Sequence, residues 1–244
     1  MGLVSRDSAV SGNGQLISIG APFSPATEAY RTLRTQVRSS SVDGTLRTLV
    51  VSSPNQLEGK STTVANLGVV IAQTGKTVVL VDCDLRRPAL HTLFGLPNEV
   101  GLTTALLGDG ATLADCLQES GVDNLRILTS GPLPPHPSEL LASEKMRQAI
   151  EQLEREADLV LFDTPPALPF TDATVLAVRA KNVLLVVEVG RTRRGALRRV
   201  AEMMRQGGAW VLGVALNRAP REQMAGYGYY YSQRSERGRR WPKG

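Results

Sequence analysis

The sequence predicts one α/β domain with a mostly parallel β-sheet and helices on both of its faces. Apolar runs that suit strands alternate along the chain with longer stretches of helical periodicity, a pattern typical of right-handed crossovers. The runs 77–81 and 159–162 are apolar at almost every position, as expected for parallel strands that helices cover on both sides. The length of 244 residues suits a single domain of ordinary size.

The first predicted element is a helix over 25–39, because Tyr30, Leu33 and Val37 recur on one apolar stripe. Residues 1–20 before it are rich in serine and glycine and are expected to form a flexible N-terminus. The later elements follow from apolar runs of strand length and from amphipathic stretches between them. Strands are predicted at 48–52, 77–82, 125–129, 159–163, 183–189 and 211–217. Helices are predicted at 61–73, 138–156, 172–179 and 192–207, with short helices broken by glycine at 101–119.

Composition excludes several kinds of protein. No run approaches the ~18 consecutive apolar residues of a membrane-spanning helix, and the first residues lack the apolar core of a signal peptide. Cys83 and Cys116 are too few for a disulfide framework, and His91 and His136 form no zinc-binding pattern with them. The sequence therefore predicts a cytoplasmic protein.

The formal net charge of +5 is concentrated in the C-terminal part of the chain. Residues 191–244 carry 13 lysines and arginines against three acidic residues, whereas residues 1–190 carry 15 against 20. Nucleic acid, anionic lipid and an acidic protein are candidate partners for such a basic region. The spacing of the arginines between positions 191 and 205 favours a simpler interpretation, the solvated face of one helix.

Residues 52–62 read SSPNQLEGKST and connect a predicted strand to a predicted helix. A helix N-terminus presents unpaired backbone N–H groups and a positive dipole end, and both favour a phosphate. Gly59 permits close approach of a phosphate, Lys60 can reach its β and γ oxygens, and Ser61 offers a hydroxyl to Mg²⁺. The match is incomplete, since Pro54 stands where the general phosphate-loop pattern has glycine. A Gly-Lys-Ser sequence that simply starts a helix is the alternative.

Carboxylates follow two of the predicted strands. The strand 77–82 ends in Asp82, with Asp84 shortly after it, and the strand 159–163 ends in Asp163. Because ligands of open α/β sheets gather at the carboxyl ends of strands, we expect all three carboxylates near the phosphate loop. Each aspartate alone has a structural alternative, in which it caps a helix or closes a turn. Together they favour a site for a metal–nucleotide complex.

A cluster of aromatic residues lies close to the C-terminus. Four of the five tyrosines of the chain belong to it: Tyr227, Tyr229, Tyr230 and Tyr231. Aromatic residues normally enter a core or an interface, yet these stand among glycines and arginines with few other apolar residues. A small docking patch is one interpretation. The other is a string of phenol groups that accept phosphoryl groups, which would distinguish a tyrosine kinase from other ATPases.

With these motifs the chain resembles the bacterial tyrosine kinases of capsular and exopolysaccharide synthesis, often called BY-kinases, over about residues 22–231. The motifs occur in the order found in that family. They are SSPNQLEGKST at 52–62, VDCDLRRP at 81–88, LFDTPP at 161–166, GPLPPHPSEL at 131–140 and EAYRTLR at 28–34. The resemblance implies a P-loop NTPase-like kinase domain over residues 21–220, followed by a basic, tyrosine-rich tail over residues 221–244.

The resemblance also implies the roles of the site residues. ATP would be bound by Glu58, Gly59, Lys60, Ser61, Thr62 and Asp163. Mg²⁺ would be held, directly or through water, by Ser61, Asp82, Asp84 and Asp163. Lys60 would contact the transferring phosphoryl group. Asp82 or Asp84 would accept the tyrosine proton, because a phenol with a pKa near ~10 is mostly protonated at neutral pH. Arg86 and Arg87 either help to spread phosphoryl charge or pair with acidic neighbours.

Members of this family assemble into rings through an E-x-x-R-x-x-R helix, to which Glu28, Arg31 and Arg34 correspond. The resemblance therefore implies a homo-oligomer in which the tyrosine tail of one subunit enters the site of the next. An ion pair within the helix is the alternative for these residues. The other implied partners are protein tyrosine substrates and a membrane-embedded polysaccharide chain-length regulator, which would recruit the protein to the inner face of the plasma membrane. No specific nucleic acid is implied.

One departure from the family leaves other functions open. The family loop has Pro-Gly where this chain has Gln56-Leu57, and a leucine in a left-handed conformation is costly and can crowd the phosphates. A nucleotide-binding scaffold without catalysis is therefore one alternative. A ParA/MinD-like positioning ATPase is another, although those proteins have a lysine where Asn55 stands and no use for clustered tyrosines. Asn217, at the end of the last predicted strand, is either a base contact or a turn residue.

Overall fold

The computed structural model describes residues 2–5, 16–40, 46–108 and 110–220, with residues 2–5 described as backbone. Its strands are β1 (Gly2–Ser5), β2 (Thr48–Ser52), β3 (Val78–Asp82), β4 (Leu117–Glu119), β5 (Leu125–Leu128), β6 (Leu159–Asp163), β7 (Asn182–Glu188) and β8 (Trp210–Ala219). Its helices are α1 (Ile17–Gly20), α2 (Pro25–Ser39), α3 (Lys60–Ala72), α4 (Leu90–Phe94), α5 (Leu102–Leu107), α6 (Pro137–Ala142), α7 (Glu144–Glu156), α8 (Asp172–Ala180) and α9 (Arg194–Gln206).

The strands form one sheet in the order β1-β8-β7-β2-β6-β3-β5-β4. Every neighbouring pair is parallel except β5 with β4, so the predicted α/β fold with a mostly parallel sheet is confirmed. β2 lies between β7 and β6, and β3 lies on the other side of β6. The loops that leave the carboxyl ends of β2, β6 and β3 therefore meet at one edge of the sheet, where ligands of open α/β sheets bind.

The central strands β2, β3 and β6 are buried on both faces, which explains their uninterrupted apolar sequences. Val79 and Val81 of β3 pack in one core cluster with α5 to α9, whereas Val78 and Leu80 of the same strand pack in the other with α1 to α4. α3 lies close to the sheet because Gly68 has no side chain: a Cβ there would be 2.6 Å from Cδ2 of Leu80. This packing fixes the direction of α3 and hence the position of its N-terminus.

Each predicted strand is present with slightly different ends, but two predictions for the intervening segments are wrong. The predicted helix 138–156 is two helices, because Ser143 accepts a hydrogen bond from Met146 N (3.2 Å) and caps α7. Residues 101–119 contain the short helix α5, yet their last part forms β4 and not a helix. β4 pairs antiparallel with β5, and this cross-strand pairing overrides the weak local signal of three residues.

Part of the segment predicted to be flexible carries regular structure. Residues Gly2–Ser5 form the edge strand β1, which pairs with β8, and Ile17–Gly20 form α1. Leu16 and Ile17 pack into the core cluster that contains α2 and α3. Within the described ranges, none of the helices has the length and apolar character that crossing a lipid bilayer requires.

Candidate nucleotide-binding site

The loop between β2 and α3 ends in Gly59, which is the N-cap of α3. Its φ of 89° lies in the left-handed region, and a Cβ there would be 2.0 Å from Nδ2 of Asn217. Position 59 therefore requires glycine for its conformation and for space. Thr63 is the first residue whose N–H bonds back into the helix, to Gly59 O at 2.9 Å. The N–H groups of Lys60, Ser61 and Thr62 remain available to a ligand at this edge of the sheet.

Glu58 stabilises the loop from inside. Its side chain is only 1% exposed, and its carboxylate accepts hydrogen bonds from Asn55 N (2.8 Å) and Asn55 Nδ2 (2.9 Å). The hydroxyl of Thr192, in the turn between β7 and α9, donates to the same carboxylate. Both carboxylate oxygens are thus engaged by protein donors, so Glu58 can serve a nucleotide mainly by holding the backbone around it.

Asn217 is a second support of the loop, and its role differs from the base contact or turn expected from the sequence. Its Nδ2 donates to Glu58 O at 2.9 Å, and its Oδ1 accepts from Arg218 N at 2.9 Å. The side chain is buried between the end of β8 and the loop. Sequence reasoning missed the contacts of Asn217 and Thr192 because both depend on where β7 and β8 lie relative to β2.

Asp82 and Asp84 are buried where the chain leaves β3. Asp82 Oδ2 accepts from Ala89 N and Leu90 N (both 2.9 Å), and its Oδ1 accepts from Asp84 N (3.2 Å). Burial raises the pKa of Asp82 to about 7, although these N–H groups oppose the shift. Asp84 Oδ1 accepts from the N–H groups of the two arginines that follow, and burial raises its pKa as well. Asp82 therefore also has the capping role that the sequence left open.

Asp163 is the third carboxylate at this edge of the sheet. It lies opposite Asp82 in the parallel register of β6 and β3 and is fully buried. Among the described residues, no donor makes a hydrogen bond of ordinary geometry to either of its side-chain oxygens, although the Ser61 hydroxyl is close enough to lower its pKa. Burial, followed by the charge of Asp82, raises its pKa well above the ordinary value, and the positive charge of Lys60 opposes this shift. Lys60 is 7% exposed, and its positive charge lowers the pKa of both Asp84 and Asp163.

These residues fit a magnesium–nucleotide complex better than a metal held by protein alone. In the part of the chain that the structure describes, no group of three or more His, Cys, Asp or Glu is arranged to hold a metal ion. Mg²⁺ commonly takes one or two carboxylates and completes its coordination with water and phosphate oxygens. The buried, unpaired oxygens of Asp163 match that requirement, and the hydroxyl of Ser61 lies in the first turn of α3.

The two arginines after Asp84 have different surroundings. Arg86 binds Asp172 at the start of α8, with an Nε to Oδ2 distance of 3.0 Å, and its guanidinium lies 4.0 Å from the ring centroid of Phe170. It therefore pairs with an acidic neighbour, one of the two roles expected from the sequence. Arg87 is exposed and forms no ion pair among the described residues.

The three interface candidates on α2 are also unlike one another. Arg31 Nη1 donates to Glu28 Oε1, which is the ion pair within the helix that the sequence left open. Arg34 Nη1 instead donates to Val70 O at 2.6 Å, near the C-terminus of α3. Burial, ahead of the charge of Arg31, lowers the pKa of Arg34. Arg34 thus connects α2 to α3, whereas Glu28 and Arg31 remain on the surface. The predicted phosphoacceptors Tyr227, Tyr229, Tyr230 and Tyr231 lie outside the described residues.

Comparison with known proteins identifies the relatives of this chain. A family model described as an AAA domain matches residues 50–206. The tyrosine-protein kinase YwqD of Bacillus subtilis is 40% identical over 215 residues, which cover 88% of this chain and 90% of YwqD. The kinase domain of the Escherichia coli tyrosine kinase ETK superposes with a TM-score of 0.83 at 30% identity, covering 90% of this chain and 89% of that domain.

A positioning ATPase is a weaker match. The septum site-determining protein MinD of Pyrococcus horikoshii, solved with Mg-ADP, has a TM-score of 0.60 at 27% identity over 70% of each chain. The kinases cover more of this chain and superpose more closely, and all share the P-loop fold that binds nucleotides. The chain belongs to the family of bacterial tyrosine-protein kinases.

Proposed function

We propose that this kinase transfers the γ-phosphoryl group of ATP to tyrosine hydroxyls, including those of its own tail in a neighbouring copy. The observation that carries the proposal is the pair Lys60 and Asp163. The ammonium of Lys60 and the carboxyl group of Asp163 are both buried beside the free N–H groups of α3, and no hydrogen bond of ordinary geometry reaches the Asp163 oxygens within the described residues. A polyphosphate bound with a cation would satisfy both, since phosphate oxygens accept from Lys60 and the cation takes Asp163.

Each part of the loop has one task in this proposal. The N–H groups of residues 60–62 and the ammonium of Lys60 hold the β- and γ-phosphates, while Glu58 keeps the loop in shape. Ser61 and Asp163 would hold Mg²⁺. When bound, Mg²⁺ supplies positive charge that offsets the negative charge of the phosphoryl group during transfer.

Asp84 is a better candidate than Asp82 for accepting the tyrosine proton. Both carboxylate oxygens of the fully buried Asp82 accept backbone N–H groups. Asp84 keeps one carboxylate oxygen without a donor among the described residues, so that oxygen can accept a proton from a substrate. This assignment chooses between two residues that the sequence could not separate.

A prediction for the phosphoacceptors is that removal of residues 226–244 abolishes labelling of the chain by ATP carrying a radioactive γ-phosphate. A mixture should then show transfer between copies: the shortened, active chain should label an intact Lys60→Met chain on tyrosine. The control is an intact Lys60→Met chain in which all four tail tyrosines are phenylalanine. ATP hydrolysis without phosphotyrosine would instead favour a MinD-like ATPase, and neither activity would favour a scaffold.

A prediction for Asp163 concerns stability without nucleotide. Asp163→Asn should raise the free energy of unfolding at pH 7 by about 1–3 kcal/mol, because it removes an unpaired buried carboxylate. In the folded wild type the pKa of Asp163 is raised. Asp163 therefore lowers the free energy of unfolding increasingly as the pH rises above ~4, the ordinary pKa of a carboxyl group. The gain should therefore shrink as denaturation is repeated at lower pH. Mg-ATP should stabilise the variant less than the wild type.

Asp158→Asn is the matched control for this prediction. The N–H of Thr77 donates to the carboxylate of Asp158 and lowers its pKa. Asp158→Asn removes this carboxylate, so it should lower the free energy of unfolding at neutral pH and have a smaller effect in acid. A less stable Asp163→Asn at pH 7 would contradict the assignment of Asp163 as an unpaired anion.

We propose self-association through the N-terminal part of α2 and the turn before it, where Phe23 is 90% exposed and Arg31 is partly exposed. Phe23→Ser and Arg31→Glu should each weaken it about tenfold or more, measured as mass by light scattering over a concentration series. Arg147→Glu is the control, because Arg147 forms the same type of pair with Glu144 on α7, across the sheet. Unchanged mass in both interface variants would exclude this face.

We propose that the kinase acts in capsular or exopolysaccharide synthesis at the inner face of the plasma membrane, with a membrane-embedded chain-length regulator as activator. The family resemblance supports this role. The match to this chain covers 90% of the length of YwqD but 30% of the length of the Salmonella typhimurium kinase wzc, so these relatives differ widely in length. Addition of the cytoplasmic segment of such a regulator should raise autophosphorylation. Equal rates with and without it would count against the partner.

A further inference from the structure

Two residues other than glycine adopt left-handed backbone conformations at the phosphate loop, one within it and one beside it. Leu57 has a φ of 63°, and Arg218, directly after β8 residue Asn217, has a φ of 55°. Such a conformation costs a residue with a side chain about 1–2 kcal/mol, so the surroundings must impose it. The side chain of Leu57 is 68% exposed, and its own packing therefore does not explain the strain.

The contacts of Arg218 explain the strained backbone of Leu57. Arg218 Nη1 donates to Leu57 O at 3.1 Å and to Glu188 Oε2 at 2.8 Å. A charged donor bound to a carboxylate and a carbonyl together makes strong, directional hydrogen bonds. The guanidinium therefore connects the carbonyl of the strained loop residue to the end of β7.

Arg218 and Asn217 together hold two consecutive carbonyl groups of the loop. Arg218 binds the carbonyl of Leu57, and Asn217 Nδ2 binds the carbonyl of Glu58 at 2.9 Å. Because a trans peptide is planar, fixing a carbonyl also fixes the following N–H, which points to the opposite side. The N–H groups of Glu58 and Gly59 are thereby turned away from β8.

We propose that Arg218 is a positioning residue for the nucleotide: it holds Leu57 in the left-handed conformation and so directs the N–H of Glu58 towards the phosphates, beside the N–H of Gly59 that Asn217 sets. The inference rests on the proposed function for the identity of the ligand. It also explains how this chain tolerates leucine where its family has glycine.

A double-mutant cycle tests the proposal, with the Kd of a fluorescent ATP analogue and Mg²⁺ as readout. Arg218→Ala should weaken binding about tenfold, because the loop then loses the contact that offsets the strain at Leu57. Leu57→Gly alone should change little. The double variant should regain most of the lost affinity, since glycine adopts this φ without support. In steady-state kinetics, the KM for ATP should rise more than kcat falls.

Arg191→Ala is the matched control, because Arg191 also binds Glu188 (3.2 Å) but makes no contact with the loop. It should bind the analogue as the wild type does. Arg218→Lys should lie between alanine and wild type, because lysine retains the charge without the planar fork. Normal binding by Arg218→Ala, or an equal loss in the Leu57→Gly background, would overturn the proposal. A chain that shows the expected cycle yet phosphorylates no tyrosine would overturn the proposed function alone.

Discussion

The site depends on one electrostatic constraint, the burial of Asp163 beside Asp82 at the ends of neighbouring parallel strands. Backbone N–H groups compensate the carboxylate of Asp82, whereas Asp163 has only the nearby charge of Lys60 and the hydroxyl of Ser61 to oppose its burial. A buried, unpaired carboxylate is unfavourable, so the protein without ligand carries a destabilised centre. A bound cation relieves it, and ligand binding is thereby coupled to folding stability through the same residue.

Most other charged residues near this edge are already compensated by the protein. The carboxylate of Glu58 is bound by Asn55 and Thr192, and Arg86 is bound by Asp172. These residues shape the loops around the site and leave few charges for a ligand. Lys60 and Asp163 differ from them, since no hydrogen bond of ordinary geometry reaches the Asp163 oxygens among the described residues, and this difference favours Lys60 and Asp163 as the groups that bind a ligand.

The sequence was sufficient to predict the architecture because a buried parallel sheet produces a strong sequence pattern. Its strands are apolar throughout, and their ends carry the aspartates that the topology brings together, so Asp82 and Asp163 could be placed in advance. The supports of the loop could not be predicted in this way. Thr192 and Asn217 are 134 and 159 residues from Glu58, and only the strand order β8-β7-β2 brings them to it. Short elements such as β4 depend likewise on pairing that local sequence does not encode.

Leu57 adopts a left-handed conformation that residues with a side chain normally avoid, and a contact with another part of the chain compensates the cost. The sequence predicts that leucine is costly here, and its φ of 63° agrees. The side chain points largely into solvent, so the cost lies in the backbone and not in lost packing. Compensation comes from Arg218, a residue with the same kind of strain, at the end of a distant strand. A loop with glycine at this position has no strain to offset, and therefore positions 57 and 218 should be understood as one unit.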